Sequence, residues 1–359
     1  MINSHYVPQF ILRNFYTDDK ITYCDLENRT VQLRNTRSVF SEDGYYPENI
    51  EKALCDKAEH LFANLYHNKL ENARNTITLT RDELFVLKKY LVVCSVRYKY
   101  EFTEEEKRRI KSYGPAFEVD YDRCLNEILS CETLDEVFEL LGKYEKYLYN
   151  TFQGKDSGDS SDANMPLWSE LKDILHSYII FVKTRDEQFL IPDVGRATYQ
   201  GPLGLAKTIS VTELFYKTQD PRFAQLLQLI GPRDYTVYPL SKNFAIVSMC
   251  SFFKLFTDSE VQANVKMPDE YPTLSSLLEF GDRNIIAPPK VRFKGYYDRE
   301  YIYDIKTLTT KDVCHFNSLM IGECKRYIAC GGLEGIQQSV ETAKNYTKRD
   351  LSFLKIKTN

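Results

Sequence analysis

Ile21-Thr22-Tyr23-Cys24-Asp25-Leu26, then Glu27-Asn28-Arg29-Thr30, then Val31-Gln32-Leu33-Arg34: two β-prone runs flank a polar turn and predict a hairpin. Just downstream the period changes. From Pro47 to about Leu70, residues Ile50, Leu54, Ala58, Leu61 and Leu65 keep the 3-to-4 spacing of one helix face. A hairpin beside a helix, with no regular βαβ alternation in the chain, predicts the α+β class.

Outward from there the N-terminal part is mostly helical. Thr80 with Glu83 three residues on forms a capping box, which opens a helix to about Tyr100. Further helices are expected near Glu104–Ser112, Phe117–Ser130 and Thr133–Tyr149, the last with its own box at Thr133 and Glu136. The run 153–164 lacks any large apolar residue and reads as an exposed loop or linker. It divides a hairpin-plus-helices region, 1–152, from a mixed region, 165–359, and the two are expected to pack as one unit. In the second region a helix is expected from Pro166 to His176. Short antiparallel strands are expected at Tyr178–Val182, Gln188–Ile191, Tyr235–Tyr238 and Ala245–Met249, with a helix at Val211–Tyr216 between them. Lys290–Tyr303 reads as a strand or extended arm. A last helix should run from Lys311 to about Ala329 and stop at Gly331-Gly332.

Composition narrows the class. The chain has 359 residues, 43% hydrophobic and 27% charged, enough apolar material for a core without disulfide or metal support. Lys+Arg is 47 and Asp+Glu is 51, a net charge of −4 that argues against a broadly basic nucleic-acid coat. No run approaches the ~20 apolar residues of a membrane helix. The opening residues lack the regions of a signal peptide. The nine cysteines form no C-x-x-C pair. Free thiols in the cytoplasm are the expectation.

Several motifs fail on inspection. No P-loop, G-x-S-x-G elbow, H-E-x-x-H site or Arg-to-His ribonuclease spacing is present. His60 and His67, two turns apart, read as helix-surface residues, and no metal ligands are assigned. Glu323-Cys324-Lys325 with Pro192-Asp193 matches the letters of a nuclease core, but its neighbours read as helix rather than strand. Lys290 to Asp304 interleaves cations with tyrosines, as a single-stranded nucleic-acid surface does. An amphipathic strand reads the same way.

The opening segment, His5-Tyr6-Val7-Pro8-Gln9-Phe10-Ile11-Leu12-Arg13-Asn14-Phe15, carries the strongest chemical signal. Pro8 suits a helix start, and a helix to about Tyr16 is expected. His5, Gln9 and Arg13 then fall at intervals of four. An imidazole that titrates near neutral pH lies before a helix start, and a guanidinium able to grip phosphate or carboxylate lies a turn on. A terminal helix docked by Ile11 and Phe15, with a solvated polar stripe, is the plain alternative.

This segment closely resembles the opening of the mainly bacterial domain-of-unknown-function family 4238. The resemblance continues at Tyr45-Tyr46, at Ile50-Glu51 with Glu59, and at Phe189-Leu190-Ile191-Pro192-Asp193. It extends through Tyr238-Pro239-Leu240-Ser241-Lys242-Asn243 to Phe316-Asn317 ahead of Arg326-Tyr327-Ile328. Two positions depart from the family pattern: Pro192 precedes the aspartate and Gly195 stands where a proline is usual. The resemblance implies a fold and a set of polar positions, with no established activity or cofactor.

Those positions lead to a working assignment. His5 is a general acid/base, and Asp193 orients it or holds a metal. Gln9, Arg13, Asn317 and Arg326 bind an anionic substrate. Hydrolysis of a nucleotide or nucleic acid is the chemistry that fits such a set. The family resemblance suggests a toxin-like effector, as in phage defence. The alternatives are a non-catalytic sensor of an anionic ligand and a buried network with only a structural role.

Overall fold

The computed structural model describes residues 3–99, 102–112, 115–152, 163–200, 233–249 and 300–354. It has the mixed α+β architecture, with three sheets and helices packed against them. β1 (Asn3–His5) pairs antiparallel with β4 (Ser41–Asp43). The predicted hairpin is β2 (Ile21–Asp25) and β3 (Thr30–Arg34), and Arg29 in its turn takes φ 54°. The short α1 (Gln9–Arg13) starts with Pro8 as its N-cap and ends three residues before Tyr16.

The helix from Pro47 to Leu70 is one continuous rod with two irregular stretches. α2 (Glu48–Leu54) and α3 (His60–Leu65) are each followed by a π-helical turn, Cys55–Glu59 and Tyr66–Leu70. β5 (Thr76–Leu79) leads into α4 (Arg81–Arg97), whose Thr80–Glu83 capping box is formed in full. α5 (Glu104–Ser112), α6 (Tyr121–Ser130) and α7 (Leu134–Phe152) follow. Residues 153–162 lie outside the described set, but Ala163 and Asn164 at the end of that run are buried. The Asn164 side chain accepts from Leu167 N to cap α8 (Met165–Leu175).

The two regions share their sheets. The larger has strand order β5, β11 (Tyr301–Thr307), β6 (Tyr178–Lys183), β10 (Phe244–Met249), β9 (Arg233–Ser241), β8 (Ala197–Gln200). Only the β11–β6 pair is parallel. The smaller has order β3, β2, β12 (Tyr327–Cys330), β7 (Ile191–Pro192). So β5 of the first region is an edge strand beside β11 of the second, and β2 pairs with β12. α9 (Thr310–Glu323) and α10 (Gln337–Tyr346) pack on one another, and α9 also packs against β8 and β7. One apolar core runs through both regions. No described helix is long and apolar enough to cross a membrane.

Two expectations need correction, and two more fall partly or wholly outside the described residues. The last helix does not reach Ala329: α9 stops at Glu323, and Tyr327–Cys330 is a strand. The cause is Asp193, whose carboxylate collects three main-chain N–H groups just past the helix end. The strand expected at Gln188–Ile191 is only Ile191–Pro192, because Gln188 N donates to the Gly335 carbonyl while the Gln188 carbonyl and Leu190 N bond to the Asn317 side chain instead. Tyr301 and Tyr303 are buried in β11, so this end of the Lys290–Asp304 segment is core rather than a stacking surface, while residues 290–299 lie outside the described set. The helix expected at Val211–Tyr216 also lies outside it. Gly195 has φ +73°, a conformation closed to proline.

Candidate functional site

His5 ends β1, and Pro8 turns the chain so that Gln9 and Arg13 follow on one face of α1. The three side chains form a hydrogen-bonded row. Arg13 donates to Gln9 Oε1 at 3.3 Å, and the Gln9 amide lies 3.5 Å from His5 Nδ1. His5 Nε2 lies 3.2 Å from the Thr36 carbonyl, which can only accept. The tautomer is therefore assigned as Nε2–H, with the Nδ1 lone pair facing Gln9. His5 is 5% exposed, and burial lowers its pKa below 6.5, against the opposing pull of the Thr36 carbonyl. At neutral pH it is an uncharged base whose row ends at the exposed Arg13.

Asp193 does not join that row. Its Oδ1 accepts from Lys325 N at 2.8 Å, and its Oδ2 from Arg326 N at 2.8 Å and Tyr327 N at 2.9 Å. It is 2% exposed, and burial raises its pKa over the opposing effect of these amides. This carboxylate shapes the turn between α9 and β12. Arg326 shares the turn, and its guanidinium pairs with Asp25 and Glu27. Burial favours the neutral acid at Asp25, but Arg326 and Asn28 outweigh it and hold the pKa at about 2. Asn317 is fully buried elsewhere: its amide donates to Gln188 O and Ser339 Oγ, and its oxygen accepts from Leu190 N. The Glu323-Cys324-Lys325 tripeptide straddles the helix end. Its glutamate accepts from Thr198 N, and Asp193 holds the main chain of Lys325.

Beside His5 lies a cluster that the sequence reading did not assemble. Arg97, the last residue of α4, is 1% exposed. It pairs with Glu59 on the first π-helical turn and donates to the His5 carbonyl, while the Tyr46 hydroxyl donates to its own carbonyl. Arg97 Nε, Glu51 Oε2 and Ser4 Oγ are buried with no hydrogen-bond partner among the described residues. Burial raises the Glu51 pKa against the pull of Arg97. Tyr46, Glu51 and Glu59 belong to the motifs quoted above, whereas Arg97 had no sequence signal beyond a cation in an apolar helix. His60 and His67 are exposed, the latter bonded to Glu71.

A crevice between α1, α4 and β9 is lined by apolar groups including Val7, Pro8, Ile11, Val194 and Leu240, and none of the six assigned residues lines it. Among the described residues no group of three or more His, Cys, Asp or Glu gathers to hold a metal. The arrangement offers one neutral imidazole in line with one exposed guanidinium, beside a buried arginine–glutamate pair. No curated protein and no solved structure matches the chain. A family model described as a protein of unknown function matches residues 3–331, so the chain belongs to the DUF4238 family.

Proposed function

We propose that the chain is a cytoplasmic hydrolase of nucleotides or nucleic acid that uses the His5–Gln9–Arg13 row. One observation carries the reading: a neutral imidazole whose Nδ1 lone pair is linked through Gln9 to an exposed guanidinium. A phosphate arriving at Arg13 competes with the neutral Gln9 oxygen, and a charged acceptor wins that competition. Gln9 then turns away and leaves Nδ1 open. His5 takes a proton from the attacking water as its oxygen bonds to phosphorus, and returns it to the departing ester oxygen. The Thr36 carbonyl holds the ring in the required tautomer throughout. Asp193, Asn317 and Arg326 shape the fold elsewhere. The described cysteines are free thiols, which suits a reducing compartment.

A second reading, a sensor that binds the same anion without turnover, is favoured by the occupation of both His5 nitrogens. Calorimetry and product analysis across a panel of nucleotides and oligonucleotides separate the two. Hydrolysis predicts turnover that His5→Asn abolishes while binding persists, and binding that Arg13→Ala weakens. Binding with no products selects the sensor. No binding and no turnover removes both.

A further inference from the structure

Tyr6, Tyr23 and Tyr327 come from three distant parts of the chain: the segment after β1, strand β2 and the head of β12. The rings of Tyr23 and Tyr327 stack at 5.0 Å and 25°. Phe40 continues the row, 5.7 Å from Tyr23 and 6.2 Å from Tyr6. Tyr6 in turn meets Tyr45 at 5.5 Å and Tyr98 at 5.7 Å. Cations sit along this row. The Arg34 guanidinium lies 4.3 Å over Tyr23, Arg326 lies 4.9 Å over Tyr327, and Lys99 Nζ lies 5.3 Å from the Tyr45 ring.

Two features distinguish the row from ordinary core packing. Tyr6, Tyr45, Tyr98 and Tyr327 are only half-buried. The hydroxyls of Tyr6, Tyr23 and Tyr327 bond to no described residue. The charges differ as well. Arg326 is matched by Asp25 and Glu27, and Lys99 by Asp122. Arg34 instead has neutral partners, Gln32 Oε1 at 2.8 Å and the Ser38 carbonyl at 3.3 Å, and its charge is unmatched by any carboxylate among the described residues.

We propose that this tyrosine row, with Arg34 at its edge, is a binding surface for single-stranded nucleic acid. The half-buried rings of Tyr6, Tyr45, Tyr98 and Tyr327 offer aromatic surface on which bases stack, the phenol hydroxyls offer donors, and Arg34 offers a charge for the phosphodiester. A duplex hides its base faces and fits the row poorly. The inference goes beyond the hydrolytic reading, because it uses other residues and requires no turnover.

The test is fluorescence anisotropy of an end-labelled oligothymidylate, single-stranded or paired with oligoadenylate, on the full chain. The single strand should bind more tightly than the duplex. Arg34→Gln, on an exposed edge strand, should weaken binding several-fold and reduce the salt slope by about 0.7, the share of one phosphate contact. Tyr327→Leu should weaken binding about 10-fold, the loss of one stacked base. Tyr327→Phe keeps the ring and should weaken it less. The proposal is overturned by the absence of saturable single-strand binding, by equal affinity for the duplex, or by an Arg34→Gln variant that binds as the parent does.

Discussion

Arg326 gives its main-chain N–H to the Asp193 carboxylate at 2.8 Å, while its guanidinium pairs with Asp25 on the neighbouring strand. One residue thus ties the end of α9 to β7 through its backbone and to β2 through its side chain. Asp193→Asn offers a single acceptor oxygen to three amides and turns an NH2 group toward donors. We expect a stability loss of about 3 kcal/mol, from buried N–H groups left unpaired beside a charge-assisted set. Urea unfolding with an unchanged slope should report it as a lower midpoint. A loss under about 1 kcal/mol would show that the turn holds without the carboxylate.

His5 makes a pH prediction whose direction follows from burial. Its native pKa lies below 6.5, so on acidification the unfolded chain takes up a proton first. Stability contributed by the neutral ring is full above 6.5 and is lost as pH falls toward the native value. His315, bonded to Tyr235 and also lowered by burial, adds a slope of the same sign. The difference between parent and His5→Asn cancels that contribution. Unfolding curves across this range should show a shallower pH dependence in the variant; parallel curves would place the His5 pKa at its ordinary value.

What could be read in the sequence depended on the distance over which the signals act. The hairpin, the Thr80 capping box and the i, i+4 row from His5 to Arg13 depend on residues a few positions apart, and all three formed. β12 was missed because nothing local ends α9 before Gly331. The stop comes from Asp193, 132 residues away from the first amide it binds. β1 and β4 are three residues each, too short to show a period. The polar set was misgrouped for the same reason. Asn317 and Asp193 look like site residues by type, yet each is occupied by backbone partners that only the fold brings near.

Lys88 and Lys89 are adjacent on α4 and buried, yet they serve different helices. Lys88 Nζ donates to the carbonyls of Ile174, Leu175 and Ser177 at the end of α8, and Lys89 Nζ to those of Leu129 and Cys131 at the end of α6. Burial pulls the Lys89 pKa down to about 8. Between that value and its unfolded one the native state releases its proton first, so the Lys89 contribution to stability rises with pH. The stability difference between parent and Lys89→Met should therefore move in the parent's favour from about pH 8 to 10. Lys88→Met should cost about 3 kcal/mol at neutral pH, because the buried carbonyls of Leu175 and Ser177 lose their charged donor and Ile174 keeps its bonds from Ser177.

Arg97 and Glu59 supply the decisive test of the frame around His5. A buried guanidinium that loses its carboxylate, or the reverse, keeps its desolvation cost with no compensation. Arg97→Met should therefore cost about 4 kcal/mol, and part of that loss comes from Glu59 left without its partner. Glu59→Gln added to Arg97→Met should then cost nothing further or recover stability, although Glu59→Gln alone destabilises the parent. The cycle also bears on the site. Arg97 holds the His5 carbonyl, and its charge adds to burial in lowering the His5 pKa, so in Arg97→Met that pKa should rise toward 6.5, visible by NMR. An additive cycle with an unmoved His5 resonance would mean that the arginine is a filler of space, and that the imidazole is positioned by Thr36 and Gln9 alone.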